Sequence, residues 1–401
     1  MLLRQATLAS SRRVDVRVCT DIVDAVADAL VAADGETVID LAGHVLLPAP
    51  AEPHAHLDKA LTADLAPNRT GDLLGAIDAW MAVMPTLTVD GMVRRGEEAA
   101  GRLLANGCTT IRSHVNVGDT MGLRAVEAML EVRRRLAGLV DLELVALVST
   151  PTTGEAGRPN AAALRAAMAA GVDVVGGCPH LDDDPHGCID LCLDLAGELG
   201  VPLDLHMDET LSPAMLTLPY LCDRVAATGF DRGVTASHCC SLGVQDHAVQ
   251  RAVAEQCAAT GVAVVALPQT NLFLQGRQQL VATPRGLTAV RPLLDAGALV
   301  CAGADNLQDP FNTMGRADPL ETAALMVMAG HLLPEEAYEA CSLAVRRALG
   351  RPAAAALDVA PGDPADLLAV PAASLRAALA DAPAGRTVIA GGRVLSGGAG
   401  G

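Results

Sequence analysis

Eight short apolar segments alternate with helix-type sequence along most of this 401-residue chain. Each segment is a near-continuous run of Val, Leu, Ile and Ala, which is typical of strands covered on both faces. Eight alternations of strand and helix favour an α/β fold of the (β/α)8 TIM-barrel type over an open doubly wound sheet. The predicted strands occupy residues 44–54, 109–115, 142–148, 172–177, 202–207, 233–238, 262–268 and 298–305. Predicted helices lie between most of these strands, for example at residues 90–106, 122–137, 160–170, 187–199, 244–259 and 286–296.

The two ends of the chain have a different character from the middle. Residues 1–48 and 356–401 contain short strand-type pieces separated by turns, such as "GETVIDLAGHVLL" near the start. We expect these two end segments to pair into one small β-sandwich domain. Residues 49–355 are then the barrel domain.

Charge and hydropathy narrow the class of partner. The formal net charge of −18 disfavours a nucleic-acid partner, because binding to phosphates depends on Lys and Arg. No apolar run approaches the ~18 residues of a membrane span, and no basic segment followed by an apolar one opens the chain. The 11 cysteines are scattered and contain no C-x-x-C pair, which indicates reduced thiols. These features predict a cytoplasmic protein with no membrane partner.

Polar residues of metal-binding type stand at or near the ends of the predicted strands. In a barrel the carboxyl ends of the strands meet on one face, where active sites are built. Such residues are costly in apolar strands unless they are paired. A single buried histidine would not indicate a functional site, but several metal-binding residues at strand ends indicate one common site. The set consists of His54, His56, His114, His206, His238 and Asp305.

Four of these residues are the candidate metal ligands. His54 and His56 are two positions apart on an extended segment, so their side chains point the same way. With His206 and Asp305 they form a set of imidazoles and a carboxylate that suits one Zn²⁺ or Fe²⁺ per chain. A structural zinc site is the alternative, but such sites are closed and usually contain Cys. The predicted set leaves a position for water, whose pKa the metal lowers toward ~7.

Two further residues are candidates for proton transfer. Glu209 lies three residues beyond His206, where its carboxylate can accept the proton of that water and pass it to a substrate. The alternative for Glu209 is an acidic residue in the first turn of a helix. His238 can hydrogen-bond the attacking oxygen or the developing oxyanion, and Asp305 can assist the proton transfer.

Lys59 is the only lysine among the 29 basic residues, and it stands three residues after His56. Lysine differs from arginine in being a compact ammonium that can give or take a proton. We therefore predict that Lys59 faces the substrate, as a hydrogen-bond donor or as a proton donor to the leaving group. A surface lysine retained by chance is the alternative. Some metal hydrolases bridge two ions with a carboxylated lysine after strand four, but here that strand ends "GGCPH", which indicates one ion.

Seven blocks of this sequence resemble the ordered motifs of the amidohydrolase superfamily. The similarity extends over roughly residues 1–395 and is greatest to the cytosine deaminase branch and its relatives acting on hydroxy-triazines, such as N-isopropylammelide aminohydrolases. The resemblance implies a (β/α)8 barrel with a split β-sandwich domain, one iron or zinc ion, and the ligand and proton-transfer roles given above. The blocks are "EPHAHLD", "SHVNVGD", "DVVGGCPH", "LHMDE", "VTASH", "NLFLQGR" and "GADNLQDP".

The resemblance also implies residues for substrate binding. It places Gln275 near the mouth of the site and Phe311 beside the substrate ring. Cytosine deaminases carry a glutamine after strand three and a second aspartate after strand eight, whereas this chain has Ser149 and Asn306. Trp80 follows the first strand and can stack on a heterocycle, or it is a packing residue. The substrate-reading groups therefore differ from those for cytosine.

Three functions are compatible with these patterns. The first is metal-dependent hydrolytic deamination of a small nitrogen heterocycle, cytosine-like or related, with release of ammonia. The second keeps the metal site but cleaves an N-alkylamino triazine or a cyclic amide. The third is a non-catalytic binding barrel. Apolar helical sequence such as "LETAALMVMAG" and the habit of the resembled family predict a homo-oligomer.

Overall fold

The computed structural model describes residues 1–396, and the last five residues of the predicted second end segment lie outside them. In chain order its strands are β1 (Leu2–Thr7), β2 (Arg13–Cys19), β3 (Ile22–Ala27), β4 (Val38–Asp40), β5 (Val45–Pro48), β6 (Ala51–Ala55), β7 (Thr110–Val117), β8 (Asp141–Val148), β9 (Val174–Gly177), β10 (Leu203–Met207), β11 (Val234–His238), β12 (Val262–Ala266), β13 (Val300–Ala302), β14 (Leu367–Val370), β15 (Thr387–Ala390) and β16 (Arg393–Ser396).

Strands β6 to β13 form one eight-stranded sheet in which each strand pairs in parallel with the next along the chain. All five residues of β6, β10, β11 and β12 are buried, as expected for strands covered by helices on one face and by the barrel interior on the other. The predicted (β/α)8 barrel with a small β domain is confirmed. The division of the chain at residues 48/49 and 355/356 stays a prediction.

The barrel closes at a seam between its first strand, β6, and the segment that follows its last strand, β13. A backbone bridge and the side chain of Glu52 connect the two sides of this seam. A single bridge joins Ala55 to Asp305. The buried carboxylate of Glu52 accepts hydrogen bonds from the backbone N–H of His54 (3.0 Å) and of Ala304 (2.9 Å), one on each side of the seam. A Cβ at Gly303 would stand 2.3 Å from Glu52 Oε1, so the seam requires glycine there. Burial raises the pKa of Glu52 to about 8.

The helices are α1 (Leu73–Val83), α2 (Val89–Ala105), α3 (Arg124–Arg135), α4 (Gly154–Ala169), α5 (Pro185–Leu199), α6 (Leu218–Thr228), α7 (His247–Thr260), α8 (Pro268–Leu274), α9 (Val290–Asp295), α10 (Pro319–Met328), α11 (Pro334–Ala340), α12 (Leu343–Ala348) and α13 (Leu375–Asp381). Helices α1, α6, α8, α11, α12 and α13 lie outside the helical segments predicted from the sequence. Helix α6 has a proline, Pro219, as its second residue. A proline suits the first turn of a helix, but from sequence alone it indicates a helix break. Among residues 1–396, no helix is both long and apolar enough to cross a bilayer.

Both chain ends contribute to the second sheet, whose order is β16-β15-β14-β5-β1-β2-β3 with β4 on β1. It is antiparallel except where β1 pairs with β4 and β5. Arg346 joins this sheet to the barrel because its guanidinium donates to Asp366 near β14 (3.0 Å) and to Thr109 before β7 (2.6 Å). The contact lies where barrel strands begin, so the β domain sits at the end of the barrel opposite the carboxyl-terminal face.

The single strand predicted over residues 44–54 is wrong. It is two strands, β5 in the end sheet and β6 in the barrel. Pro48 ends β5, and Pro50 immediately precedes β6. Neither proline has an N–H to continue the hydrogen bonds of a sheet, so the chain passes from one sheet to the other there. The cysteine prediction is confirmed, because all 11 cysteines are free thiols.

Candidate active site

Four polar side chains from three places in the barrel converge at its carboxyl-terminal face. His54 lies in β6 and His56 directly after it, His206 comes from β10, and Asp305 follows β13. His206 Nε2 lies 3.1 Å from His54 Nε2 and 3.2 Å from His56 Nε2. Asp305 Oδ1 lies 3.2 Å from His56 Nε2 and 3.7 Å from His54 Nε2. The structure thus brings the four predicted ligands, His54, His56, His206 and Asp305, together in one four-donor set.

The contacts within this set cannot all be hydrogen bonds. His206 Nε2 carries at most one proton, yet it faces two other imidazole nitrogens. Among residues 1–396, neither carboxylate oxygen of Asp305 has a hydrogen-bond partner. Burial, together with the neighbouring imidazoles, holds the pKa of His54 and of His206 well below the ordinary histidine value. Neutral imidazoles and a carboxylate with these four distances of 3.1–3.7 Å suit one divalent ion. Ligand bonds of ~2.1 Å separate neighbouring ligand atoms by about 3.0–3.6 Å in a five-coordinate site, which also has a position for water.

Two further groups of possible donors share His54. One combines it with His238 and Asp305 at the same face, and the other lies deeper in the barrel. His54, His114 and Asp204 also offer donor atoms within 4.8 Å of one another. From the sequence we expected His114 at the end of its strand. It instead lies inside β7, with its ring centroid 3.8 Å from that of His54. His114 Nε2 is 3.7 Å from Asp204 Oδ1, and neither of its ring nitrogens has a hydrogen-bond partner among the described residues.

Glu209 and His238 stand next to each other beside the four-donor set. His238 Nδ1 lies 3.4 Å from Glu209 Oε1, and its Nε2 lies 3.9 Å from Asp305 Oδ2. Burial raises the pKa of Glu209 to about 8, while the charge of Lys59 acts in the opposite direction. His238 and Asp305 have φ values of 69° and 64°, a conformation that non-glycine residues rarely adopt. Such strain is concentrated at functional sites.

Asn271 of α8 contacts both proton-transfer candidates, and the sequence analysis missed it. Its Nδ2 lies 3.1 Å from His238 Nδ1 and donates to Glu209 Oε1 at 3.3 Å. A donor opposite His238 Nδ1 leaves the ring proton on Nε2, which faces Asp305. The available signal was the position of Asn271 at the head of the "NLFLQGR" block, but nothing in its residue type distinguished it from a helix-capping residue.

Replacing Asn271 by alanine is expected to lower kcat by about 10–100-fold with little change in KM, because a hydrogen bond to a charged group is worth ~1.5–3 kcal/mol. The measurement is steady-state kinetics on any substrate found by the screen described below. Gln269→Ala is the matched control, since Gln269 lies on the same helix and donates to Thr322 instead. Equal losses in both variants would contradict a positioning role for Asn271.

A cavity of about 290 Å³ opens above these groups. His56, His206, Glu209, His238 and Asp305 form its polar floor. Apolar side chains form much of its wall, among them Leu73, Ile77, Trp80, Met81, Leu147, Val148 and Phe311. A small, mostly apolar space with a few convergent polar groups is typical of a site for a flat small molecule.

Lys59 reaches this cavity between two aromatic rings. Its Nζ lies 4.5 Å from the centroid of Phe311 and 5.6 Å from that of Trp80, within cation–π range. The residue is 4% exposed, so it is not a surface lysine. Ser149 and Asn306 also line the cavity, although the side chain of Asn306 is engaged with Asp309 and Thr270.

Gln275 is the one predicted substrate residue that the structure places outside this cavity. It lines a neighbouring groove, and its side-chain Nε2 donates to the backbone carbonyl of Glu209 at 3.3 Å. Its contact therefore supports the loop that carries Glu209. A role for Gln275 in binding the ring stays a prediction.

The fold and this site define a class, a (β/α)8 barrel with a buried set of metal-type donors and the Glu209–His238 pair at the carboxyl-terminal face of its strands. The model of the amidohydrolase family matches residues 83–395, more than half of the sequence. The chain belongs to the amidohydrolase family and is a hydrolase of carbon–nitrogen bonds.

Three relatives are similar over nearly the whole chain. A pterin deaminase of Rhizobium rhizogenes is 31% identical over 361 residues, 89% of this chain and 82% of that protein. The structure of 5-methylcytosine deaminase from Klebsiella pneumoniae liganded with 5-fluorocytosine is 29% identical and matches with a TM-score of 0.89, covering 99% of this chain and 97% of that one. The structure of N-isopropylammelide isopropylaminohydrolase from Burkholderia multivorans is 28% identical, with a TM-score of 0.84 and coverage of 99% and 98%.

Proposed function

We propose that this protein is a metal-dependent aminohydrolase that removes an amino group from a small nitrogen heterocycle and releases ammonia. The observation that carries the proposal is the floor of the cavity of about 290 Å³, where three of the four donors, His56, His206 and Asp305, meet the Glu209–His238 pair. Trp80 and Phe311 stand in the wall of the same cavity. The similarity to a pterin deaminase and to a 5-methylcytosine deaminase supports an aminated pteridine or pyrimidine as the ring.

The proposed reaction is the attack of water on the ring carbon that bears the amine. A single divalent ion, zinc or iron, held by His54, His56, His206 and Asp305 supplies Lewis acidity that makes a water molecule a nucleophile near neutral pH. Glu209 takes a proton from the attacking water and gives it to a ring nitrogen. A C–O bond forms, the C–N bond breaks, and ammonia leaves with the remaining proton.

The neighbouring residues guide this proton transfer. His238, with its ring proton on Nε2, hydrogen-bonds the attacking oxygen, and Asp305 lies 3.9 Å from that nitrogen. Asn271 holds Glu209 and His238 in their relative positions. Phe311 and Trp80 enclose the ring, and Lys59 between them donates to an acceptor on it.

Release of an alkylamine from an N-alkylamino triazine is the second candidate. The similarity to N-isopropylammelide isopropylaminohydrolase favours it, and so does the apolar wall, which would accommodate an alkyl group. Hydrolysis of a cyclic amide would use the same floor and yield a carboxylate without ammonia. Homo-oligomer formation and a cytoplasmic location stay predictions.

A product screen tests these alternatives together. The metal-replete protein is incubated with aminated pyrimidines, purines, pterins and hydroxy-triazines, and ammonia, alkylamine and carboxylate are each assayed, with metal-stripped protein as the control. Metal-dependent ammonia from one ring type supports the proposal. Alkylamine or carboxylate alone selects one of the other hydrolases, and no product from any ring, with metal stoichiometrically bound, contradicts it in favour of a non-catalytic barrel.

Replacing Lys59 by methionine, which keeps the length of the side chain and removes its charge, is expected to lower kcat/KM about 10–100-fold, as for loss of a charged hydrogen bond. Steady-state kinetics on the substrate identified by the screen measures the effect. Arg69→Met, which removes an exposed positive charge ten residues further along, is the matched control. A Lys59→Met enzyme with unchanged kcat/KM would show that the ammonium does not contact the substrate.

A further inference from the structure

A chain of buried hydrogen bonds continues below the four-donor set into the barrel. His54 Nδ1, the ring nitrogen that faces away from the set, lies 2.9 Å from Ser237 Oγ. Ser237 Oγ lies 3.1 Å from Asp204 Oδ1 and donates to it. All three residues are fully buried. The ring of His54 is therefore held from behind by a hydroxyl that is itself held by a carboxylate.

Two more charged residues anchor the far end of this chain. Arg112 NH1 donates to Asp204 Oδ2 at 2.9 Å, and Arg112 Nε donates to Glu143 Oε2 at 2.6 Å. The interior layers of such barrels are usually filled by branched apolar side chains. A layer built from an arginine and two carboxylates is costly unless each group is paired, as these are. Asp204 links this layer to His54 through the hydroxyl of Ser237.

The direction of each hydrogen bond follows from the donors available. Both oxygens of Asp204 are acceptors, Oδ2 from a guanidinium N–H of Arg112 and Oδ1 from the hydroxyl of Ser237. The hydroxyl proton of Ser237 therefore points to Asp204, and the oxygen of Ser237 is left to accept from His54 Nδ1–H. With its proton on Nδ1, the ring of His54 presents the lone pair of Nε2 to His56, His206 and Asp305.

We propose that Ser237 and Asp204 are positioning residues that fix the tautomer and orientation of His54 as a ligand for the divalent ion. The inference rests on the proposed metal site and extends it to residues that do not touch the ion or the substrate. Hydrogen-bonded groups behind a ligand imidazole commonly contribute 10–100-fold to metal affinity.

The local fold explains how Ser237 reaches His54. Ser237 is paired with His206 across β10 and β11, so a ligand and this positioning residue stand side by side in the ladder. The next residue, His238, has a φ of 69° and leaves the extended conformation, so it escapes the alternation of a strand and reaches Glu209. Two consecutive residues thus contact the site on opposite sides: Ser237 contacts the buried side of His54, and His238 contacts Glu209.

The network acts on one ligand more than on the others. Among the described residues, neither His56 Nδ1 nor His206 Nδ1 has a hydrogen-bond partner. Loss of the Ser237 hydroxyl is therefore expected to weaken metal binding and not to abolish it, since three ligands stay in place. Without it, the ring of His54 can place its proton on Nε2 and turn an N–H toward the site.

The test measures metal affinity in the absence of any substrate. Zn²⁺ dissociation constants are determined by competition with a chromophoric chelator for the unmodified protein, Ser237→Ala and Ser237→Thr, and the visible spectrum of each Co²⁺-loaded protein is recorded. We expect Ser237→Ala to bind Zn²⁺ about 10–100-fold more weakly and to shift the Co²⁺ bands, and Ser237→Thr, which keeps a hydroxyl, to recover most of the affinity.

Thr235→Val is the matched control for this test. Thr235 lies two residues before Ser237 on the same strand and accepts from Arg112 NH1 at 3.1 Å, but it does not touch His54. We expect it to lower the thermal unfolding temperature of the metal-free protein while leaving the Zn²⁺ affinity unchanged. Wild-type affinity in Ser237→Ala, or an equal loss in Thr235→Val, overturns the inference. Because no turnover is measured, a failure of the deaminase proposal leaves this result interpretable.

Discussion

Glu209→Gln is expected to lower kcat by about 10³-fold while the protein keeps its metal. The substitution preserves the size of the side chain, but an amide cannot take a proton from water and return it to the ring. Glu209 is the carboxylate on the cavity floor that is paired with His238 and Asn271, and burial raises its pKa to about 8. A carboxyl group whose pKa lies near the working pH is suited to both halves of a proton shuttle.

The measurement is the single-turnover rate together with metal content. Asp208→Asn is the matched control, because Asp208 is an adjacent buried carboxylate that accepts from the backbone N–H of Thr217 and Leu218 at the start of α6. We expect it to reduce thermal stability and to leave kcat within a few-fold. A Glu209→Gln enzyme with near-normal turnover would eliminate the proton shuttle described here.

Removal of the metal is expected to abolish activity, a loss of at least about 10³-fold that added Zn²⁺ or Fe²⁺ restores. The same loss, without recovery, is expected for His206→Ala. His206 Nε2 lies within 3.2 Å of both other ligand imidazoles, so its loss opens the centre of the set. Metal content by elemental analysis, activity, and the thermal unfolding temperature with and without chelator are the three measurements.

His114→Gln shows whether the metal is bound by the four-donor set or by the deeper set. His114 is a buried histidine of the same cluster and belongs to the deeper set with His54 and Asp204, whereas it offers no atom to the four-donor set. We expect His114→Gln to retain one metal ion per chain and most of the activity. If His114→Gln loses the metal and His206→Ala retains it, the ion is bound in the deeper set and the ligand assignment is wrong.

The histidine pair could be placed from sequence because two local regularities coincide there. A period of two puts His54 and His56 on one side of an extended segment, and the topology of parallel strands brings their carboxyl ends to one face. The same reasoning placed His206, His238 and Asp305 near them. The resemblance to amidohydrolases then assigned a role to each residue, and the family is confirmed.

The same reasoning could not identify residues whose roles depend on hydrogen-bond partners far away along the chain. Asn271 reads as an ordinary polar residue of a short helix until Glu209, 62 positions earlier, is seen within 3.3 Å of it. Ser237 is 183 positions from His54. Gln275 was assigned to the substrate, yet its side chain is directed to a backbone carbonyl. A hydrogen bond of this kind depends on angles and distances that no spacing along the chain encodes.

The sequence by itself determined the class of fold, the paired end segments, the face that carries the site and the residue types available for metal and proton chemistry. Those properties follow from hydrophobic periodicity and chain order, which are local. Only the tertiary structure decided which atoms meet: the 3.1–3.7 Å donor set, the buried ammonium of Lys59 between two rings, and the line from Arg112 to His54. These contacts depend on how eight strands close into a barrel, and closure is a property of the whole chain.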